Sequence, residues 1–274
     1  MRNLIEVLET TVVKFYYSRA AHRLFTNAWY ALLSNLDKNG QVTLLNYGFA
    51  YLADEKIPLQ ANDEFNRYPI QLYHYVASGV SLEGKELLEV GCGRGGGASY
   101  IARYMHPRKL TGVDLCKAAI RFSAEYYARE PTLAFRLADA HRLPFPNHSF
   151  DAVLNIESAQ HYADMGKFLD EVHRVLRPGG HFLMACFDDR QKNVFPRQVL
   201  RESKLHPVKE EDITANVVRA LEIDTPRRQK LARTLSPPFM GRLSKEFAGI
   251  QGTELYGSFA SGECRYYSFV YRKP

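Results

Sequence analysis

Leu87-Leu-Glu-Val-Gly-Cys-Gly-Arg-Gly-Gly-Gly97 is the stretch from which the rest of this chain can be read. Apolar Leu87, Leu88 and Val90 have the composition of a buried parallel strand near its end. Gly91, Gly93 and Gly95 let the backbone turn sharply and approach a ligand without side-chain clash. Ala98 to Met105 reads as the helix that follows, so its free N–H groups point back toward whatever the turn holds. Strand, glycine turn and helix in that order predict a nucleotide-cofactor site.

The glycines alone leave two cofactors open. Gly91, Gly93 and Gly96 fit the dinucleotide pattern G-x-G-x-x-G, whereas Gly91, Gly93 and Gly95 fit the tighter G-x-G-x-G. Glu89 tilts the choice. A carboxylate two residues before the first glycine repels a pyrophosphate. It suits a ligand that bears an ammonium group, directly or through water. S-adenosylmethionine has an amino group, a sulfonium and no phosphate.

Downstream, Lys109 to Asp114 reads as the second strand, ending in an acid 23 residues beyond Gly91. An acid at that place accepts hydrogen bonds from ribose hydroxyls, although a strand-end Asp also serves as a helix cap. Leu115 beside it counts with the cofactor positions. A helix follows over Lys117 to Ala128. Leu133 to Ala140 is a third strand with an acid just past its end. Asp139 is placed to accept from an adenine amino group and the Ala140 N–H to donate to a ring nitrogen. Pro144, Pro146 and Asn147 exclude regular structure in the next link. Asp151 to Ile156 is a fourth, apolar strand carrying Asn155, also counted with the cofactor positions. Glu157, His161 and Asp164 begin where that strand ends, on the edge where open parallel sheets bind ligands. Phe168, Leu169, Val172, Val175 and Leu176 mark the next helix, stopped by Arg177-Pro-Gly-Gly180, and His181 to Phe187 is the fifth strand.

Upstream, residues 1 to about 80 have helical spacing in two aromatic-rich segments, Leu4 to Tyr16 and Leu24 to Leu33. They read as a cap on the core or a lid over an apolar substrate. Asn46-Tyr47-Gly48 interrupts that pattern, either as a buried turn or with Tyr47 packed over the cofactor. A helix is expected from Asp63 to Ser78. From Asp188 to about Lys245 the chain is polar, charged and helical in patches. Thr225 and Pro226 suit a helix start, and the basic run Arg227 to Arg233 reads as a solvated helix face. Cys264 to Tyr271 has strand composition, with a preceding strand expected within Phe247 to Tyr256.

Whole-chain numbers narrow the class. The 274 residues are 46% hydrophobic, enough for a sizeable core, with a net charge of +6 from 36 Lys and Arg against 30 Asp and Glu. That balance does not mark a dedicated nucleic-acid binder. Cys92, Cys116, Cys186 and Cys264 form no C-x-x-C pair, which speaks against a zinc or disulfide framework and fits a reducing cytoplasm. No metal is expected. No signal peptide or membrane-spanning run is visible.

Glu89-Val-Gly-Cys-Gly-Arg-Gly95, Asp114, Asp139-Ala140, Leu143-Pro-Phe, Phe150-Asp151 and Leu176-Arg-Pro-Gly-Gly180 together resemble the ordered motifs of class I S-adenosylmethionine-dependent methyltransferases. Glu157-Ser-Ala-Gln-His161-Tyr-Ala-Asp164 is similar to a segment of sterol, tocopherol and small-molecule O-methyltransferases, in which a histidine occupies the place of His161. Gly95 to Tyr100, Pro69 to His74, Gly249 to Thr253 and, more loosely, Asn46 to Phe49 resemble phthiotriol and phenolphthiotriol dimycocerosate methyltransferases. The resemblance implies an α/β fold, a Rossmann-like, mostly parallel seven-stranded sheet with helices on both faces and an antiparallel last strand. An N-terminal helical cap over 1–80, a cofactor core over 81–190, a helical substrate lid over 191–246 and closing strands over 247–274 complete the expected organisation.

The implied activity is O-methylation of a hydroxyl on a polyketide- or lipid-like small molecule, with S-adenosylhomocysteine as product. His161 is the candidate general base, oriented by Glu157 or Asp164; alternatively it contacts only substrate or backbone. C-methylation of an isoprenoid or quinone-like acceptor, a nicotinamide-dependent dehydrogenase, and a non-catalytic binder of S-adenosylmethionine are the other readings. The N/D-P-P-Y motif of adenine methyltransferases is replaced by Asn155-Ile-Glu-Ser.

Overall fold

The computed structural model describes residues 32, 36–37, 39–53, 55–189, 196–236 and 240–274. After a short 3-10 turn (Ala61–Asn66) the chain runs through α1 (Arg67–Ala77), β1 (Glu86–Val90), α2 (Gly96–Tyr104), β2 (Lys109–Asp114), α3 (Lys117–Tyr126), β3 (Leu133–Leu137) and β4 (Phe150–Ile156). It continues with α4 (Met165–Val175), β5 (Leu176–Asp189), α5 (Pro196–Arg201), β6 (His206–Asp212), α6 (Thr214–Leu235), α7 (Gly241–Phe247), α8 (Glu254–Ser261) and β7 (Cys264–Arg272).

Among the described residues the strands form one seven-stranded sheet in the order β3-β2-β1-β4-β5-β7-β6. β1 to β5 pair in parallel, and β7 is antiparallel to both β5 and β6. This is the expected Rossmann-like sheet. Alternation along each strand separates its two faces. Leu87, Leu154 and Leu183 pack with Leu72 of α1, Tyr100 of α2, Val217 of α6 and Phe259 of α8. Leu88, Val153 and Phe182 pack with Phe168 and Val172 of α4 and Leu200 of α5. Helices therefore cover both faces, as buried parallel strands require.

The sheet grows outward in opposite directions from β1 and β4. The carboxyl ends of this adjacent pair form the topological switch point, where open α/β sheets bind ligands.

Four expectations are corrected. The fifth strand begins at Leu176 and not at His181, so that Arg177 to Gly180, read as a helix stop, are part of β5. The penultimate strand is His206–Asp212, within the stretch read as a helical lid, and not in Phe247 to Tyr256, which instead ends α7 and starts α8. β6 is a charged edge strand, and such strands lack the apolar alternation that sequence reading seeks. The Thr253 side chain caps α8 by accepting the Tyr256 N–H. Thr225 and Pro226 lie inside α6, where the Thr225 hydroxyl donates to the Leu221 carbonyl at 2.7 Å. The basic run of α6 is only partly a solvated face, because Arg228 is buried.

The segments Leu4 to Tyr16 and Leu24 to Leu33 fall outside the described residues apart from Leu32, which is helical. No helix among the described residues is long and apolar enough to cross a membrane.

α1 crosses α2 at Gly97, where an added Cβ would lie 1.9 Å from the Tyr73 ring. Gly97→Ala is expected to cost about 1–3 kcal/mol by overpacking, read as a lower urea midpoint for unfolding.

Candidate active site

The carboxyl ends of β1, β2 and β4 open into a cavity of about 1070 Å3, solvent at its mouth included. Its floor is the glycine loop. Gly91 has φ +78°, and a Cβ there would sit 1.9 Å from the Ser158 hydroxyl oxygen, so this position tolerates no side chain. The Gly91 and Cys92 N–H groups donate to the Val113 carbonyl, which ties the loop to β2. α2 begins just beyond, with Gly95 as its N-terminal cap residue.

Asp114, at the end of β2, lines the cavity and holds two turns at once. One carboxylate oxygen accepts from Gly93 N–H at 2.9 Å and the other from Cys116 N–H at 2.8 Å. Burial raises its pKa above the usual value, opposed by these backbone bonds. Leu115, Asp139 and Ala140 also line the cavity. Asp139 follows the end of β3. Its Oδ1 accepts from the His141 N–H at 2.9 Å and lies 2.7 Å from His141 Nδ1. His141 Nε2 accepts the Asp164 N–H at 3.2 Å, which leaves the ring hydrogen on Nδ1 and directs it to Asp139.

Glu89 is fully buried and outside the cavity wall. Tyr73 of α1 stands in the wall, and its hydroxyl donates to Glu89 Oε1 at 2.7 Å. Glu89 Oε2 is buried with no hydrogen-bond partner. Burial lifts the Glu89 pKa to about 7. Asn155 is likewise a support behind the wall. Its amide donates to the Val90 carbonyl at 2.8 Å and the Tyr162 hydroxyl at 3.0 Å, and its oxygen accepts from Ala159 N–H.

The turn after β4 carries the remaining candidates. Glu157 takes the left-handed φ of +51°, rare for a residue with a side chain. Glu157 and His161 both line the cavity. Glu157 Oε1 accepts from Tyr47 N–H and from the Tyr266 hydroxyl, each at 2.7 Å. Burial raises the Glu157 pKa to about 7, against these two bonds and the attraction of Arg228. His161 ends a 3-10 turn whose start is fixed by Asn155. Asp164 lies outside the wall; its half-exposed carboxylate caps α4 by accepting from Lys167 N–H. The Tyr47 ring packs against Phe187 and Phe259, with centroids 5.9 and 5.5 Å away, so its backbone rather than its ring reaches the site.

Arg228 braces that backbone. Its guanidinium donates to the carbonyls of Asn46 at 3.0 Å and Ala248 at 2.8 Å, and pairs with Asp224 at 2.9 Å. Asn46 closes the same turn by accepting from Gly48 N–H.

Sequence reading missed Tyr73, Ser158, Tyr162, His141 and Arg228 as parts of this arrangement. Tyr73 was hidden in the apolar stripe of α1. His141, two residues after Asp139, carried a usable signal, since an Asp commonly bonds the backbone two residues on.

The wall has the chemistry for a cationic ligand. Asp114, Asp139 and Glu157 line it, and among the described residues no Lys does. Arg94 is turned to Asp37, 3.1 Å away, with its guanidinium over the Phe122 ring. No guanidinium is thus offered to a pyrophosphate, and acids surround the glycine cradle. Among the described residues no three His, Cys, Asp or Glu side chains converge on a metal site.

Comparison with known proteins gives this chemistry a family context. The methyltransferase-domain family matches residues 88–184. The chain is 38% identical to the phthiotriol/phenolphthiotriol dimycocerosates methyltransferase of Mycobacterium leprae over 244 residues, 88% of this chain and 90% of that one. It is 42% identical to the fatty-acid O-methyltransferase of Mycolicibacterium smegmatis over 205 residues, 74% of each. Its fold matches that of geranyl diphosphate C-methyltransferase from Streptomyces coelicolor, solved with geranyl diphosphate and S-adenosylhomocysteine. The TM-score there is 0.63 at 18% identity, covering 89% of this chain and 95% of that one.

Two outcomes follow from the buried charges. Arg228→Met leaves the Asn46 and Ala248 carbonyls buried without their donor and is expected to cost about 3 kcal/mol in urea unfolding. Glu89 and Glu157 titrate near 7 in the folded chain against an ordinary 4.5. The folded state therefore binds more protons than the unfolded state between those values, and their burial costs stability as pH rises through that window. Glu89→Gln is expected to flatten part of that fall, seen by comparing urea midpoints of variant and parent at pH 5 and 8.

Proposed function

The chain belongs to the S-adenosylmethionine-dependent methyltransferases, and from that premise we propose that it methylates a hydroxyl on a long-chain, polyketide-derived or other lipid-like acceptor. The observation that carries this is the 38% identity to a phthiotriol/phenolphthiotriol dimycocerosates methyltransferase across 88% of the chain. Such coverage extends well beyond the 88–184 core that many methyltransferases share. S-adenosylmethionine supplies a methyl group on a sulfonium.

This chain's residues bind and orient. The Gly91–Gly95 loop gives close backbone approach. Asp114 is assigned to the ribose, Asp139 and the Ala140 N–H to the adenine. The buried Glu89, joined to the wall through Tyr73, adds negative potential toward the ammonium group. Holding the acceptor oxygen in line at about 3 Å supplies much of the rate. Phe187, Phe259 and Tyr266 pack as an aromatic cluster with Tyr47 and Tyr266 bonded to Glu157, so water is kept from that side of the carboxylate. A hydroxyl acceptor must lose its proton, and Glu157 and His161 are the carboxylate and the imidazole that the turn after β4 offers to the cavity; the Tyr162 phenol beside them has its pKa raised by burial, and Asp164 serves as the cap of α4.

A second reading is methyl-ester formation on a fatty-acid carboxyl, favoured by the 42% identity to a fatty-acid O-methyltransferase. The likeness to a geranyl diphosphate C-methyltransferase, at 18% identity, speaks for the fold alone.

The purified protein should be supplied with S-adenosylmethionine and, separately, with a long-chain diol, a fatty acid and an isoprenoid diphosphate. A methyl ether, identified by mass spectrometry and NMR, is the expected product. An ester alone or a new C–CH3 bond overturns the hydroxyl reading. Asp139→Ala is expected to weaken S-adenosylhomocysteine binding about tenfold in calorimetry, the loss of one charge-assisted hydrogen bond.

A further inference from the structure

The geometry points to Glu157, and not only His161, as a reacting group: its Oε2 is the atom that takes the proton from the acceptor hydroxyl. This assignment rests on the hydroxyl-acceptor reading above.

The two carboxylate oxygens have different environments. Oε1 receives both donors, Tyr47 N–H and Tyr266 O–H. No described residue donates to Oε2, although the side chain lines the cavity and the residue is only 7% exposed. Glu89 also leaves one oxygen bare, but it stands behind the wall, whereas Glu157 is part of the wall. Here one oxygen anchors the group and the other is left to the cavity. The hydroxyl of an acceptor is the kind of donor that satisfies it.

The backbone is committed to the same end. Glu157 keeps a left-handed φ that costs energy for a non-glycine residue, and such strain gathers at functional sites. Its N–H donates to the Ala185 carbonyl at 2.8 Å, and its own carbonyl accepts from the Gln160 amide at 2.8 Å. The side chain is thereby aimed from the end of β4 into the switch point.

Charges around Glu157 come from every packed element. Arg228 on α6, itself paired with Asp224, attracts it. Tyr266 on β7, Cys186 on β5 and Tyr73 on α1 are neutral, their pKa values pushed well up by burial first, and then by Glu157 for Tyr266, by Asp188 ahead of Glu157 for Cys186, and by Glu89 well ahead of Glu157 for Tyr73. His161 lies on the same turn. The balance of burial against Arg228 and the two donors leaves Glu157 titrating near 7. A general base matched to neutral pH is the effective one.

The step balances as follows. The acceptor O–H bond breaks and its proton passes to Oε2. An oxygen lone pair forms the O–CH3 bond as the methyl carbon–sulfur bond breaks, and that electron pair stays on sulfur. The protonated Glu157 then returns its proton to solvent. A carboxylate acceptor needs no base and would meet Glu157's negative charge, so the same group favours hydroxyls over fatty acids.

Glu157→Gln is the discriminating variant, because its amide oxygen can still accept from Tyr47 and Tyr266 while the base is gone. With S-adenosylmethionine and a long-chain diol, kcat is expected to fall about 100-fold or more. The acid limb of kcat/KM near pH 7 is expected to vanish. S-adenosylhomocysteine affinity in calorimetry and the urea midpoint at pH 5 should stay close to the parent's. Retained turnover, or an acid limb that survives in Glu157→Gln and disappears in His161→Asn, overturns the assignment in favour of His161. Affinity falling in step with turnover overturns it in favour of a structural role. A parent enzyme that methylates only carboxylic acids defeats the acceptor reading, and the assignment with it.

Discussion

The backbone at Gly91 leaves β1 with φ +78° and passes so close to Ser158 that no Cβ fits between them. Everything at the cavity follows from that approach. It lets the Gly93 N–H, two residues on, reach Asp114 across the switch point, and Asp114 in turn holds Cys116. On the other side, Asn155 fastens the Val90 carbonyl and the Tyr162 hydroxyl, so the turn after β4 is pinned to the end of β1. Three strand ends are thus joined by side-chain to backbone bonds. The cavity is preorganised because its own walls satisfy the polar groups that a chain ending its strands leaves open.

A second constraint is the burial of two carboxylates within this frame. Burying an ion without partners is expensive, and raised pKa values are the usual response. Glu89 and Glu157 are each given a tyrosine hydroxyl from a different element, Tyr73 of α1 and Tyr266 of β7. Each keeps one oxygen with no partner among the described residues. The sheet thus holds negative charge at the carboxyl ends of β1 and β4, where a sulfonium- and ammonium-bearing donor is to be bound. The ligand and the fold have complementary deficits, so donor binding is expected to lower both carboxyl pKa values, an effect opposite in sign to burial.

The sequence was most legible where local pattern and fold agree. β2 was read with its observed ends, and β1, β4 and α4 were close, because apolar runs, glycine turns and caps are local signals, whereas Leu176 to Gly180, read as a helix end and its stop, belong to β5. The cavity placement of Gly91, Gly93, Asp114, Asp139, Glu157 and His161 followed from topology. What failed was set by distant contacts. β6 is a strand only because β7 offers it an edge, and its own residues are charged. Thr225-Pro226 looked like a helix start, yet α6 runs through it, with the Thr225 hydroxyl satisfied by Leu221 and accepting from Gln251 N–H. The Glu89 and Asn155 side chains support the wall from behind, a distinction that depends on which neighbour stands in front, and in Glu89's case that is Tyr73, 16 residues away in sequence.

Arg228 shows how such a distant contact turns into function. From the middle of α6 it reaches the Asn46 carbonyl, whose next residue sends its N–H to Glu157. The same guanidinium attracts the Glu157 carboxylate through space. A single side chain therefore sets both the position and the charge of that group, and it does so from the segment read as a substrate lid. Any shift of α6 on acceptor binding must pull on Asn46 and alter the donor that fixes Oε1. Coupling between α6 and the Glu157 carboxylate is then a consequence of two hydrogen bonds, with no need for a separate moving part. A bulky acceptor that displaces α6 would loosen Tyr47 from Glu157 and raise the carboxyl pKa, because one stabilising donor and the nearby cation recede together.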